Sequence, residues 1–237
     1  MLIKNNRCSK TLHEKNGDIM CGRFVFTDPS KIKRLMPDAD IDQLRIEFAP
    51  NYNIAPSQNI PAVLNDGSNR ARLIRWGLVP SWAKDISIGY RMINARAETL
   101  TEKPSFRKLI KERRCLIFSE GFYEWEKQGK SRKPYFIHMK DSEAFAFAGL
   151  WDIWEKEGSA LVSGTIITTT ANSLVAGIHE RMPVILPADS YDLWLGHDRG
   201  DVMNFLKPYP AEEMEAYPVS PAVGSPANNS PENTLPV

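Results

Sequence analysis

CLIFSEGFYEWEKQGKSRKPYFIHMKDSEAFAFAGL, Cys115–Leu150, decides the fold class. Four runs within it, Cys115–Phe118, Phe122–Trp125, Tyr135–Met139 and Ala144–Leu150, are short and rich in aromatic or β-branched residues. Polar and glycine-containing breaks separate them, so they read as successive strands. Upstream, GRFVF at 22–26, Pro61–Leu64 and Arg72–Trp76 read as further strands, and Gly164–Thr170 follows downstream. NYNIAPSQNI at 51–60 is punctuated by Asn, Pro and Ser and reads as a loop. Helices are few. Asp28 followed by Pro29 is an N-cap and a first-turn proline, which predicts a helix over Lys31–Met36. Pro104 starts another through Lys111, and Asp189–Leu195 is a third. The expected class is α+β: a single compact domain, mostly antiparallel β (a barrel-like twisted sheet), with flanking helices.

The 237 residues suffice for one well-buried core. The net charge of +1 removes any general basic field, so contact with nucleic acid has to come from a local patch. Apolar runs are too short to span a bilayer, and the first residues lack the apolar core of a signal peptide. Cys8, Cys21 and Cys115 have neither a disulfide framework nor CxxC spacing, so the expectation is no metal, no cofactor and a cytoplasmic protein. Residues 1–19 are polar and without pattern, and are expected to be an extension that is absent from or removed in the mature chain. Residues 20–225 form the expected catalytic domain. Residues 226–237 are expected to be a flexible tail, because seven of the 17 prolines fall in the last 30 residues, although AYPVSPAV could supply a final strand. The stretch 78–98, LVPSWAKDISIGYRMINARAE, is a long connection with little periodicity, as functional loops often are.

Four clusters could carry chemistry: MCGRF at 20–24, INARAET at 93–99, GFYEW at 121–125 and IHERMP at 178–183. If translation starts at Met20, removal of that methionine leaves Cys21 at the N-terminus. Its α-amine, with a pKa of about 8, and its thiol, about 8.5, are then two nucleophiles on adjacent carbons. Amines condense with aldehydes to imines, and the thiol can add to the imine carbon to close a thiazolidine. Equally, Cys21 could be a small buried hydrophobe beside a strand. Period-two alternation puts Glu124 on the face of Phe122, opposite Tyr123 and Trp125. Aromatic surroundings there would raise its pKa and make it a general acid, whereas on a polar face it would be a solvated glutamate. His179 is either a proton shuttle or a hydrogen-bonded structural residue. Asn94 could cap a turn of the long connection. Arg23, Arg96 and Arg181 would form a phosphate track if they converge, and otherwise are surface charges. Trp82, beside a proline, is the best stacking platform, with core packing as the alternative; Trp76, Trp151, Trp154 and Trp194 look like core.

Taken together, Met20–Phe24, Asn53–Pro56, Trp76–Trp82, Ile93–Glu98, Phe122–Trp125 and Ile178–Pro183 resemble, in order, the motifs of the SRAP family, the SOS response-associated peptidases. The resemblance covers nearly the whole chain after residue 19, and YPVSPAVGSPANN is similar to the family's closing segment. It implies a protein that binds single-stranded DNA and cross-links to abasic sites through an N-terminal cysteine. It further implies Cys21, Asn94, Glu124 and His179 as catalytic residues. Arg23, Arg96, Arg181, Trp82, Asn53 and Pro56 would contact DNA, and the resemblance implies no cofactor.

Two other readings stay open. A cysteine peptidase would use Cys21, His179 and either Asn94 or Glu124. A plain single-strand binder would use Trp82 and the arginines alone, perhaps with Lys84 added to the track. The expected state is a monomer, nucleoid-associated when bound to DNA.

Overall fold

The protein's structure is a computed structural model that describes residues 22–196 and 201–237. Five strands close on themselves. β3 (Asn59–Leu64) pairs with β4 (Ala71–Trp76) and β6 (Arg114–Ser119), β6 with β9 (Phe145–Lys156), and β9 with β10 (Ser159–Thr170). β10 returns to β4 through Ser163↔Arg75 and Gly164↔Trp76, a parallel pairing in an otherwise antiparallel ring. A five-stranded barrel is narrow, and two glycines make room where its strands crowd. A Cβ on Gly149 would lie 2.7 Å from Cys115 Sγ, and one on Gly164 2.7 Å from Ile74 Cδ1.

A second sheet packs against the barrel in the order β13 (Met214–Pro218), β8 (Ser131–Met139), β7 (Gly121–Gln128), β1 (Phe24–Phe26) and β2 (Asn51–Ile54). Phe24 and Phe122, paired across β1 and β7, meet rings from the barrel. Phe24 lies edge-on to Trp76 at 5.1 Å and to Phe147 at 5.8 Å, and Phe122 to Phe147 at 6.0 Å. These buried rings join the two sheets into one core. Short β5 (Asn94–Arg96), β11 (Arg181–Pro183) and β12 (Ile185–Leu186) flank β10 and β9. The helices are brief: α1 (Ser30–Leu35), α2 (Asp42–Glu47), α3 (Leu109–Glu112) and α4 (Tyr191–Leu195). The α+β class with a mostly antiparallel, barrel-like sheet is therefore the observed one.

Three expectations need correction. Asn51–Ile54, read as loop, is strand β2, because Ile54 and Asn51 pair with Phe24 and Phe26. Asn94–Arg96, read as irregular, forms β5 beside Ile166–Thr168 of β10. Residues 226–237, expected to be flexible, are tied down. Val219 bridges Pro236, Tyr217 Oη donates to Thr234 O (2.8 Å), and Asn233 is buried with its amide on Asn228 O (2.6 Å). The prolines there shape short 3-10 turns, as at Pro221–Gly224 and Pro231–Thr234, that dock on the second sheet. The final strand expected around AYPVSPAV is β13.

Candidate functional site

The site is built where β1 begins. Val25 pairs with Gly121 and Phe24 with Phe122, and Tyr123 N–H then donates to Arg23 O (3.0 Å). In an antiparallel ladder one step back along β1 is one step forward along β7, so Gly22 runs alongside Glu124. Cys21 itself lies outside the described residues. Alternation along β7 is as expected: Phe122 and buried Glu124 turn one way, Tyr123 and Trp125 the other. Tyr123 packs against Phe136 at 5.2 Å, and its hydroxyl donates to Tyr52 O (2.8 Å).

A second group gathers at the end of β10. Asn94 and Arg96 pair on one side with Ile166 and Thr168, and Arg181 on the other with Thr170. His179 precedes β11. Its Nδ1 accepts Arg181 N–H (3.1 Å), so a neutral ring carries its proton on Nε2. Trp76 connects the two groups. Its indole N–H donates to Ile93 O (3.0 Å), next to Asn94, and its ring packs on Phe24.

The three arginines differ. Arg96 is exposed and makes no side-chain hydrogen bond or ion pair with the described residues. Arg181 is nearly buried, and both its terminal nitrogens grip Glu98 (2.5 and 2.9 Å) while Nη2 also donates to Thr168 O (2.9 Å). Hydrogen bonding from Arg181 holds the Glu98 carboxyl below its usual range. Arg23 is half-buried and turned to the closing segment. Nη1 donates to Val223 O (2.7 Å) and Asn53 Oδ1 (2.9 Å), and Nη2 to Gly224 O (3.0 Å). Burial holds its guanidinium below the usual value, with Tyr123 acting the other way. Asn53 is fully buried, its amide nitrogen on Val223 O, Ser225 O and Asn228 O. It offers no surface for a strand of DNA to touch.

Trp82 stands 62% exposed, on a strap whose backbone is well anchored. Val79 N–H donates to Ser163 Oγ (2.8 Å), Ser81 N–H to Asp152 Oδ2 (2.8 Å), and Trp154 Nε1–H to Ala83 O (2.7 Å). Lys84 on the same strap is exposed. Trp76, Trp151 and Trp194 are buried and Trp154 half-buried, in keeping with core roles. Pro56 is half-buried in a turn held on β4 by Ser57 N–H to Trp76 O (2.8 Å), with Ser57 at φ 72°. Among the described residues no cluster of His, Cys, Asp or Glu is arranged to hold a metal ion. No helix there is long and apolar enough to cross a membrane.

The chain matches the family described as SOS response associated peptidase (SRAP) over residues 20–226. It belongs to that family. It is 50% identical over 221 residues to the abasic site processing protein YoqW of Bacillus subtilis, covering 90% of this chain and 98% of that protein. To the abasic site processing protein HMCES of Xenopus tropicalis it is 33% identical over 229 residues, covering 82% of this chain and 67% of the relative. Among solved structures, a Bacteroides thetaiotaomicron protein superposes with a TM-score of 0.82 at 28% identity, over 92% of this chain and all of that one.

All ten candidate residues fall inside the SRAP match. Two features of the SRAP domain escaped the sequence reading. Glu98 lies within the quoted INARAET cluster, but nothing in its spacing says that it faces Arg181 across β10. The carbonyls of Val223 and Gly224 carry no side-chain signal. The nearest one is the asparagine pair in PANNS, whose Asn228 side chain donates to Ala222 O (2.7 Å) and closes the turn.

Proposed function

We propose that this chain shields abasic sites in single-stranded DNA by covalent capture on Cys21, once its α-amine is free. The observation that carries the proposal is the β1–β7 register. It runs the residue after Cys21 alongside buried Glu124, in a chain whose relatives are named abasic site processing proteins. The amine adds to the C1′ aldehyde of the opened sugar, and loss of water from the carbinolamine leaves an imine. Glu124 passes a proton to the departing hydroxyl. The thiol then adds across the C=N bond, sulfur to carbon and proton to nitrogen, closing a thiazolidine. Removing the imine removes the acidity of the C2′ proton, and with it strand-breaking β-elimination. His179, with Nε2–H presented, contacts the opened sugar's hydroxyl. Asn94 orients the amine or the sugar. Arg96 holds the backbone, Arg181 stays engaged by Glu98, and Trp82 stacks on a base. The match from residue 20 onward supports a mature chain beginning at Cys21.

The test uses a chain that begins at Cys21 and one abasic oligonucleotide, read on denaturing gels. Wild type should give a heat-stable adduct. Cys21→Ala, which keeps an α-amine, should give one only with borohydride, and should nick the strand. An N-acetylated Cys21 chain that cross-links like wild type would remove the amine from the mechanism. It would favour the peptidase reading that the family description suggests.

A further inference from the structure

Arg23 and Asn53 both belong to the motif set implied to meet DNA, yet both face the closing segment. Three carbonyls in a row, Val223, Gly224 and Ser225, converge on these two side chains, and Asn228 O adds a fourth. Val219 and Val223 are buried against Val25, Tyr123 and Phe136. Asn229 Oδ1 accepts from Tyr52 N–H (2.7 Å), so the segment is pinned to both β1 and β2. The planar fork of Arg23 donates from two separate nitrogens to two successive carbonyls and to Asn53 at once, a spread that lysine's single ammonium nitrogen does not match. Charge-assisted bonds of this kind fix geometry as well as energy.

We propose that Ser220–Asn229 is a clamp that positions the nucleophile. By holding Arg23, two residues beyond Cys21, it fixes where the amine and thiol stand relative to Glu124. Arg23 is then a positioning residue and not a phosphate contact. The inference rests on the proposed covalent capture.

Arg23→Lys separates the two roles, because it keeps the charge and loses the fork. Affinity for undamaged single-stranded DNA and its salt dependence should stay as in wild type. The cross-linking rate at saturating abasic oligonucleotide should fall roughly ten- to a hundredfold, as for a reacting group displaced by about 1 Å. Val223→Ala loosens the clamp without touching Arg23. It should slow the same step, and the double variant should be no slower than Arg23→Lys alone. Thermal melts confirm that each variant is folded, and Val223→Ala serves alone if Arg23→Lys is not. Wild-type rates in both variants would overturn the clamp. So would an Arg23→Ala chain whose binding to the undamaged strand weakens, with a log–log salt slope flatter by about 0.7, since that marks a phosphate ligand. A wild-type chain that binds the strand and forms no adduct would instead overturn the covalent reading beneath it.

Discussion

Arg96 and Arg181 stand on opposite sides of β10 in different electrostatic states. Arg96 is exposed, makes no side-chain hydrogen bond or ion pair with the described residues and acts on Glu98 only through its charge, while the fork of Arg181 is occupied by Glu98. Arg96→Ala should therefore weaken binding to every single-stranded sequence and flatten the salt slope by about 0.7, as measured by anisotropy titrations at several salt concentrations. Glu98→Gln should do the reverse, releasing Arg181 to a phosphate and steepening the slope by a similar amount. An unchanged slope in Glu98→Gln would leave Arg181 as purely structural. Acid acts in the same direction. Because the Glu98 carboxyl is held low by Arg181, the pair's contribution to stability is present above the unfolded pKa of about 4.3 and is lost as pH falls through the folded value. Residue identity alone showed that Glu124 shares a face with Phe122, because period two is a backbone property. It could not show that Asn53 is buried, because what buries it comes from 170 residues downstream.

At the scale of elements, the long strands and the three residues of β1 were legible, whereas β2 and β5 were not. β6 to β10 announce themselves through aromatic and β-branched residues, whereas β2 and β5 exist only because a neighbouring edge pairs with them. The strap before β5 owes its course to two glycines. Gly77 sits at φ 115°, and a Cβ there would be 2.6 Å from Gly89 O. Gly77→Ala should destabilise the protein by about 1–3 kcal/mol through backbone strain and forced separation of the strap. A thermal melt should register roughly 2–4 °C per kcal/mol. Since the strap leads into Asn94, its cross-linking rate should fall with it. A variant that melts like wild type would show that the strap tolerates displacement.

For the whole molecule, the class was readable but the closure was not. The ring closes through parallel contacts of β10 with β4, between segments about ninety residues apart, and no local pattern encodes that. Closure also decides what Cys115 can do. It is fully buried on β6, and burial pushes its thiol far above the ordinary range. Iodoacetamide at pH 8 should leave Cys115 unmodified in the folded protein and label it only through global unfolding, as read by peptide mass spectrometry across a urea series. Labelling without denaturant would mean that the barrel opens locally.

The bond between Arg23 and Val223 joins residues 200 apart in the chain. A ribosome adding about 5–20 residues per second spends roughly 10–40 s between making one and the other. If synthesis starts at Met20, methionine excision bares the amine of Cys21 while the nascent chain is still growing. For that interval the reactive terminus meets cellular aldehydes without its clamp, and only release of the finished polypeptide brings the two ends together.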